Sequence, residues 1–261
     1  MNQNSHRLKI ALIQTMLHWE DPSRNRSMLG SKMEQVSKDT DIIILPEMFT
    51  TGFTMNPENI KEQESALTID WLKQKATNTG CAIVGSTVYK DDGAFYNRLF
   101  FVKPNGEYLS YDKRHTFTLA GEHKKYRTGK ERLIVDYKGF KFCPLICYDL
   151  RFPVYSRNTV DYDVLLFVAN WPTPRINAWD TLLKARAIEN MAYCIGVNRV
   201  GTDNEGHRYP GHSAVYDALG NLLSFSEEEE ILEVEIDKKQ LTEIKKKFQF
   251  LDDRDHFNLL G

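Results

Sequence analysis

Four strand-like stretches of the sequence are each followed by a side chain that can take part in chemistry. Glu47 follows IIILP, Lys113 follows YLSYD, Cys147 follows FCPLI and Asn170 follows VLLFVA. Because the strands of open α/β folds deliver their last residues to one edge of the sheet, we expect these side chains to lie together. A carboxylate, an ammonium and a thiol at one edge can hydrolyse an amide through a thioester, and that chemistry needs no metal or cofactor.

Each of the three groups has its own role in such a hydrolysis. A thiol of ordinary pKa is mostly protonated at neutral pH, so Cys147 needs a nearby cation or a base before it attacks a carbonyl carbon. Glu47 is the candidate base, and it can later protonate the leaving amine. Lys113, assisted by the backbone N–H of Tyr148, is the candidate for stabilising the negative oxygen of the tetrahedral intermediate.

Taken one at a time, these residue types have ordinary structural explanations. Cysteine is among the most buried residues, lysine is usually a surface residue, and a glutamate after a strand often caps the next helix. The constellation favours catalysis for Cys147, whereas Cys81, Cys143 and Cys194 are predicted to be core residues. Asp149 and Arg151, just past the nucleophile, are predicted to form an ion pair or to brace the turn.

Histidine would indicate a different mechanism, because a Cys–His pair is typical of papain-like proteases. His115 lies two residues after Lys113, and His207 and His212 bracket the segment RYPG. No protease signature surrounds Cys147, so we predict surface or structural roles for these histidines. No HxxxH or CxxC spacing occurs, and a metal site is not expected.

The composition is that of an ordinary globular protein. Of 261 residues, 41% are apolar, and 34 basic and 36 acidic residues give a formal net charge of -2. This balance offers no electrostatic case for binding nucleic acid or an anionic membrane, so a small-molecule or protein partner is favoured. The N-terminus lacks a signal-peptide pattern, and no stretch approaches the roughly 18 consecutive apolar residues of a membrane span. The scattered cysteines are expected to be reduced thiols, which favours a cytoplasmic protein.

Strand-length apolar runs alternate with helical patterns along the chain. The predicted strands cover residues 8–13, 42–45, 82–88, 99–102, 141–147, 164–169, 193–198, 214–217 and 231–236. The predicted helices cover residues 23–37, 65–77, 176–191 and 238–248. This alternation predicts an α/β fold, and because no linker interrupts it, we predict one domain over residues 1–261.

Six motifs in a fixed order resemble the nitrilase superfamily of carbon–nitrogen hydrolases. They are LPEMFTTGF, YDKRH, CYDLRFP, ANWP, KARAIENMAYCIGVNRVG and GHSAVYDALGN, and the resemblance runs from about Leu8 to Ile236. It implies a four-layer αββα sandwich and a Glu-Lys-Cys triad, which carries over to Glu47, Lys113 and Cys147. A second family glutamate, which holds the lysine or the substrate, corresponds to Glu122.

The MFTTGF and GEHKKY variants look closest to the omega-amidase branch, whose members act on short dicarboxylic monoamides such as 2-oxoglutaramate and 2-oxosuccinamate. Such a substrate needs a cation for its carboxylate, and the candidates are Arg175 and the basic residues of KRH. Asn170 and Trp171 are predicted to line the pocket. The enzyme alternative is hydrolysis of an N-carbamoyl amine or another linear amide, and the non-enzyme alternative is a silent scaffold on the same fold.

The same resemblance implies an assembly. In relatives, the helix after the nucleophile strand and the helix after ANWP form a two-fold interface, so we predict a homodimer. The C-terminal segment, residues 250–261, is predicted to be an extension or a tail that contacts the second subunit.

Overall fold

The computed structural model describes residues 6–259, which form two mixed β-sheets with helices on their outer faces. The first part of the chain contains β1 (Arg7–Gln14), α1 (Pro22–Met33), β2 (Ile42–Ile44), α2 (Gln63–Thr79), β3 (Ala82–Asp91), β4 (Ala94–Val102) and β5 (Tyr108–Asp112). The middle part contains β6 (Val135–Tyr137), β7 (Phe140–Ile146), α3 (Pro153–Ser156), β8 (Val164–Val168), α4 (Ile176–Asn190) and β9 (Tyr193–Val197). The last part contains β10 (Val200–Thr202), β11 (Arg208–Pro210), β12 (Ser213–Tyr216), β13 (Leu222–Ser226), β14 (Glu230–Asp237) and α5 (Lys238–Phe248).

The two large sheets have six strands each. The first sheet has the order β14-β1-β2-β3-β4-β5, and the second has the order β13-β12-β9-β8-β7-β6. At the centre of each sheet lies a parallel set, β1 to β3 in the first and β7 to β9 in the second. The outer strands pair antiparallel, and β10 and β11 form a separate hairpin.

Apolar side chains bind four layers together. The inner faces of the two sheets share one core, to which α4 adds Trp179, Leu183 and Ala187 from the outer side of the second sheet. A second core lies between the first sheet and the helices α1 and α2, which bury Leu29 and Leu72 there. The predicted αββα sandwich is therefore confirmed, and fully buried parallel strands explain the continuous apolar runs of β2 and β8.

The predicted strands and helices are all present. The helix predicted over 238–248 has these same bounds, and β14 lies at a sheet edge as its alternating pattern indicates. The strand-like stretch YLSYD forms β5, and the structure adds the short elements β6, β10, β11, β13 and α3. Among the described residues, no helix is both long and apolar enough to cross a membrane.

The C-terminal segment after α5 turns back toward the second sheet. Arg254 Nη1 lies 2.8 Å from Asp161 Oδ1, in the loop before β8. The single domain over residues 1–261 and the role of 250–261 as an extension or contact tail stay predictions, and Leu260 and Gly261 lie outside the described residues.

Candidate active site

The four side chains predicted to share an edge follow the carboxyl ends of strands from both sheets. The first sheet supplies Glu47, three residues after β2, and Lys113, directly after β5. The second sheet supplies Cys147, directly after β7, and Asn170, two residues after β8. The site thus lies where the ends of the two sheets face each other across the sandwich.

Cys147 begins a tight 3-10 turn that covers Cys147–Arg151. Its φ of 43° is in the left-handed region, which costs a non-glycine residue about 1 kcal/mol or more. The chain therefore leaves the strand direction at this residue. The side chain is 8% exposed, whereas the preceding Ile146 is completely buried.

Lys113 is a fully buried cation held between two buried carboxylates. Its Nζ lies 2.8 Å from Glu47 Oε1 and 2.9 Å from Glu122 Oε2. Asn97 Nδ2 donates to Glu47 Oε1 at 2.7 Å and to Glu122 Oε1 at 3.3 Å. Lys113 and Asn97 together fix the two glutamates side by side, because buried charges require partners of this kind.

Asn170 ties Glu47 to the second sheet. Its backbone N–H donates to Glu47 Oε2 at 2.8 Å, and its side-chain Nδ2 donates to the Glu47 carbonyl at 2.6 Å. The Cys147 Sγ lies 4.0 Å from the Asn170 carbonyl oxygen. The predicted base and nucleophile thus share one neighbour, and the Glu47 carboxylate is oriented by donors from both sheets.

Burial and charge set the protonation of the site. Burial by itself lowers the pKa of the Lys113 ammonium, but attraction to Glu122 and Glu47 outweighs it and raises that pKa, so Lys113 stays charged. Burial and the negative charge of Glu47 raise the pKa of the Cys147 thiol well above its ordinary value, against the opposing effect of Lys113. Cys147 is therefore a thiol at neutral pH in the free protein, and attack requires a base.

A cavity of about 330 Å³ opens above Cys147 and Lys113. Its wall combines aromatic and apolar side chains with a few polar ones, as small-molecule sites do. The residues that line it include Phe53, Met55, Phe117, Tyr148, Asn170, Trp171, Arg151, Arg175, Asp203, Glu205, His207 and Tyr209. Tyr148, Asn170, Trp171 and Arg175 were predicted for this pocket, and the structure brings all four of them to it.

Two arginines present positive charge to the cavity. The Arg175 guanidinium lies 5.0 Å from the Phe117 ring centre, and the Arg151 guanidinium lies 5.0 Å from the Trp171 ring centre. Neither is paired with a carboxylate within residues 6–259. Arg114 of the KRH segment lies outside this cavity, in a separate crevice, with Nη1 3.2 Å from the Gly129 carbonyl.

The predicted ion pair between Asp149 and Arg151 is absent from the described structure. Asp149 is fully buried and accepts hydrogen bonds from Tyr111, His115 and the Ile146 N–H instead. Asp149 therefore braces the turn, as the second interpretation predicts. Arg151 instead lies over the Trp171 ring and lines the cavity.

The histidines have structural partners or lie at the rim. His115 Nδ1 is 2.8 Å from Asp149, and His212 Nδ1 is 3.0 Å from Asp180. His207 is exposed and lines the mouth of the cavity. None of them is hydrogen-bonded to Cys147 in the described part of the chain, so the geometry does not favour a papain-like pair.

Sequence reasoning missed Asn97 and Phe117. Asn97 lies within β4 and faces the carboxylate cluster, and its one signal is a buried amide next to Arg98 in the largely apolar strand FYNRLFFV. The Phe117 N–H donates to Glu122 Oε2, and its ring lines the cavity. A backbone donor in a loop leaves no residue-type signal in the sequence.

Comparison with known proteins agrees with this geometry. The carbon-nitrogen hydrolase family model matches residues 9–246. The omega-amidase YafV of Yersinia enterocolitica is 44% identical over 255 residues, which cover 97% of this chain and 99% of that protein. The 2-oxoglutaramate amidase of Bacillus subtilis is 33% identical over 250 residues, which cover 94% of this chain and 96% of that protein.

A solved structure is similar over nearly the whole chain. XC1258 from Xanthomonas campestris, described as a CN-hydrolase superfamily protein with an arsenic adduct in the active site, superposes with a TM-score of 0.94. It is 41% identical, and the match covers 98% of this chain and 100% of that one.

Proposed function

Because the chain belongs to the carbon–nitrogen hydrolase family, we propose that it is an omega-amidase with Glu47, Lys113 and Cys147 as its catalytic residues. It releases ammonia from the terminal carboxamide of a short dicarboxylic monoamide, such as 2-oxoglutaramate or 2-oxosuccinamate. The names of the omega-amidase and 2-oxoglutaramate amidase relatives support this substrate class.

The first half of the reaction forms a thioester. Glu47 takes the proton of the Cys147 thiol as Sγ bonds to the carboxamide carbon, and the carbonyl oxygen becomes an oxyanion. Lys113 and the Tyr148 N–H stabilise that oxyanion. Glu47 then gives its proton to the nitrogen, the C–N bond breaks, and ammonia leaves. The raised pKa of the Cys147 thiol supports this general-base route, because a preformed thiolate is not available.

The second half hydrolyses the thioester. Glu47 takes a proton from a water molecule as the water oxygen attacks the thioester carbon, and the same donors hold the second oxyanion. When the C–S bond breaks, the sulfur regains a proton from Glu47 and the product acid is released. Glu122 keeps Lys113 in place through both halves, since it is bonded to Nζ through both of its oxygens, at 3.0 and 2.9 Å.

The distal carboxylate of the substrate binds at the arginine side of the cavity. Arg175 is the predicted partner, and Arg151 lines the same wall. A guanidinium held against an aromatic ring keeps its N–H donors free for a carboxylate. Asn170 and Trp171 complete the wall beside them.

One observation carries the proposal: a buried Glu47–Lys113–Glu122 cluster adjoins Cys147 at a cavity that Arg151 and Arg175 also line, and neither arginine is ion-paired within residues 6–259. The test is ammonia release from 2-oxoglutaramate, 2-oxosuccinamate, glutamine, an N-carbamoyl amino acid and a simple nitrile, with Cys147→Ala in parallel. We expect turnover of the 2-oxo monoamides that the variant abolishes. Preference for the carbamoyl compound would assign the enzyme to another reaction of the family, and silence on every compound would favour a scaffold.

The carboxylate site is tested with Arg175→Met. A hydrogen bond to a charged group contributes about 1.5–3 kcal/mol, so KM for 2-oxoglutaramate should rise about 10- to 100-fold. A neutral amide of similar length is the matched control, and its kinetic constants should not change. An equal rise in KM for both substrates would show that Arg175 supports the structure of the site and does not bind the substrate carboxylate.

The enzyme is further proposed to be a cytoplasmic homodimer. A thiol nucleophile must stay reduced, which a reducing compartment ensures. Large apolar side chains are exposed on α3, on α4 and around β13, among them Val154, Ile188, Leu219, Leu222 and Phe225. A second copy of the chain would bury this surface.

A further inference from the structure

Asp149 is a fully buried carboxylate that accepts four hydrogen bonds. Its Oδ2 accepts from the Ile146 N–H at 3.0 Å and from the Tyr111 hydroxyl at 2.8 Å. Its Oδ1 accepts from the His115 N–H at 3.0 Å and from His115 Nδ1 at 2.8 Å. Because a carboxylate can only accept, the His115 ring carries its proton on Nδ1.

These bonds join the two halves of the catalytic machinery. Asp149 belongs to the turn that begins with Cys147, whereas Tyr111 and His115 flank Lys113 by two residues on each side. The Tyr111 hydroxyl also accepts from the Arg114 N–H at 3.1 Å. The His115 ring stacks on Phe152 at 3.7 Å between ring centres, so the segment around Lys113 is held to the nucleophile turn on both sides.

We propose that Asp149 is a positioning residue that fixes Lys113 relative to Cys147. The two residues come from different sheets. The distance between them must allow the oxyanion to accept a hydrogen bond from Lys113 while the carbon that carries it is bonded to the Cys147 sulfur. The inference rests on the proposed function, and it adds a residue that contacts neither the substrate nor the reacting atoms. Misplacement of a catalytic group by about 1 Å can lower a rate about 100-fold.

The charge of Asp149 matters as well as its shape. Four donors converge on two oxygens, and an ionised acceptor makes such bonds shorter and stronger than a neutral one. Asparagine has nearly the same shape, but its NH₂ group would face an N–H or O–H donor. Asp149→Asn therefore loosens the connection without leaving a cavity.

The first experiment compares Asp149→Asn with Asp163→Asn. Asp163 is also buried, accepts from the Lys141 N–H at 2.9 Å and pairs with Lys238 and Lys245. It precedes β8, at the opposite strand ends from the site, so it serves as the matched control. With active sites counted by titration, Asp149→Asn should lower kcat for 2-oxoglutaramate about 10- to 100-fold with KM changed less than about twofold. Asp163→Asn should keep the wild-type kcat.

A second variant keeps the proposal testable if Asp149→Asn does not fold. His115→Ala removes one of the four bonds at a partly exposed side chain, and it should lower kcat in the same direction by a smaller factor. Unchanged kcat per active site in every folded variant would overturn the proposal. A fall in kcat for Asp163→Asn equal to that for Asp149→Asn would do the same, because it would show a general loss of structure.

Alkylation of Cys147 by iodoacetamide separates this proposal from the function on which it rests. If Lys113 moves away, its charge no longer favours the thiolate, so the Asp149 and His115 variants should be labelled more slowly than wild type at a fixed pH. Faster labelling would mean that the variants only open the structure, and it would overturn the proposal. This measurement needs no substrate, so it tests the positioning role of Asp149 independently of amide hydrolysis. If the wild-type protein released no ammonia from any amide, that result would refute the proposed function alone.

Discussion

Lys113 is the residue on which the electrostatics of the site depend. Removal of one partner from a buried ion pair leaves an uncompensated charge, which costs about 3–5 kcal/mol. Here a single ammonium contacts two carboxylates, at 2.8 and 2.9 Å. The loss of Lys113 should therefore affect folding as well as the proposed catalysis.

We expect Lys113→Met to lower the free energy of unfolding by about 3–5 kcal/mol, as measured by urea denaturation. The matched control is Lys125→Met, which removes an exposed pair with Glu58 at 2.7 Å and should cost far less, because solvent screens an exposed pair. Addition of Glu122→Gln to Lys113→Met should restore part of the stability. Equal losses in the two lysine variants would contradict this account.

Cys147 should react slowly as a free thiol. Burial and Glu47 raise its thiol pKa, so the thiolate fraction grows only as the pH passes the raised value, and the midpoint of iodoacetamide labelling should lie well above that of a small-molecule thiol. Glu47→Gln removes a repelling charge and should move the midpoint to lower pH, whereas Glu58→Gln should not. Cys147→Ala gives the background, and a wild-type midpoint near that of a small-molecule thiol would count against the buried-thiol description.

At the level of residues, the clustering of the candidate site was predictable from the sequence where a reactive residue type stands at a strand end. Glu47, Lys113, Cys147 and Asn170 all follow strands, and the structure brings them together. Arg151 was misassigned, because an arginine two residues after an aspartate suggests an ion pair and nothing in the sequence shows that the aspartate is already saturated by other donors. Asn97 was missed because its function depends on which strands are neighbours.

Among the elements, the end of β5 is held in place by the backbone of Gly129, which lies close to the backbone of Asp112 and Lys113. Gly129 donates its N–H to the Lys113 carbonyl at 2.9 Å, and a Cβ at this position would lie 2.1 Å from the Asp112 carbonyl oxygen. A side chain here must push away the strand end that carries Lys113.

Gly129→Ala should therefore cost about 1–3 kcal/mol of stability and also lower kcat, as seen by urea denaturation and ammonia release. Gly30→Ala, within α1, is the comparison: its Cβ would meet only the end of the Lys75 side chain at 3.0 Å. That variant should be as stable as wild type or more stable by about 0.5–1 kcal/mol, because alanine favours a helix. A wild-type kcat in Gly129→Ala would show that the Lys113 segment adapts.

Long elements were predictable, and most of the very short ones were not, with the exception of β2, which a continuous apolar run reveals. α5 has an N-cap aspartate, Asp237, whose side chain accepts from the Lys239 and Gln240 N–H groups, and its bounds agreed with the pattern. The three-residue strands β6, β10 and β11 are too short to show a period. The hairpin of β10 and β11 nevertheless lines part of the cavity, with Asp203, Glu205, His207 and Tyr209 in and beside its loop.

At the scale of the whole molecule, the proposed dimer can be tested by placing a charged side chain on the exposed apolar surface of α4. Ile188 on α4 is 45% exposed, and Ile188→Glu should convert a particle of about twice 30.3 kDa into one of 30.3 kDa in sedimentation velocity. The matched control is Leu67→Glu, because Leu67 is also 45% exposed but lies on α2, in the opposite helix layer. A wild-type monomer, or loss of the dimer in both variants, would contradict an interface at α4.

The crowding of negative charge around Lys113 also bears on product release. The substrate enters with a neutral carboxamide, but under the proposed function it leaves as an acid that ionises at neutral pH beside the buried Glu47 carboxylate. Like charges this close in a poorly hydrated site repel strongly, so the new anion is expelled instead of lingering at the thiol. Weak product inhibition is therefore expected from a site built of two carboxylates and one ammonium.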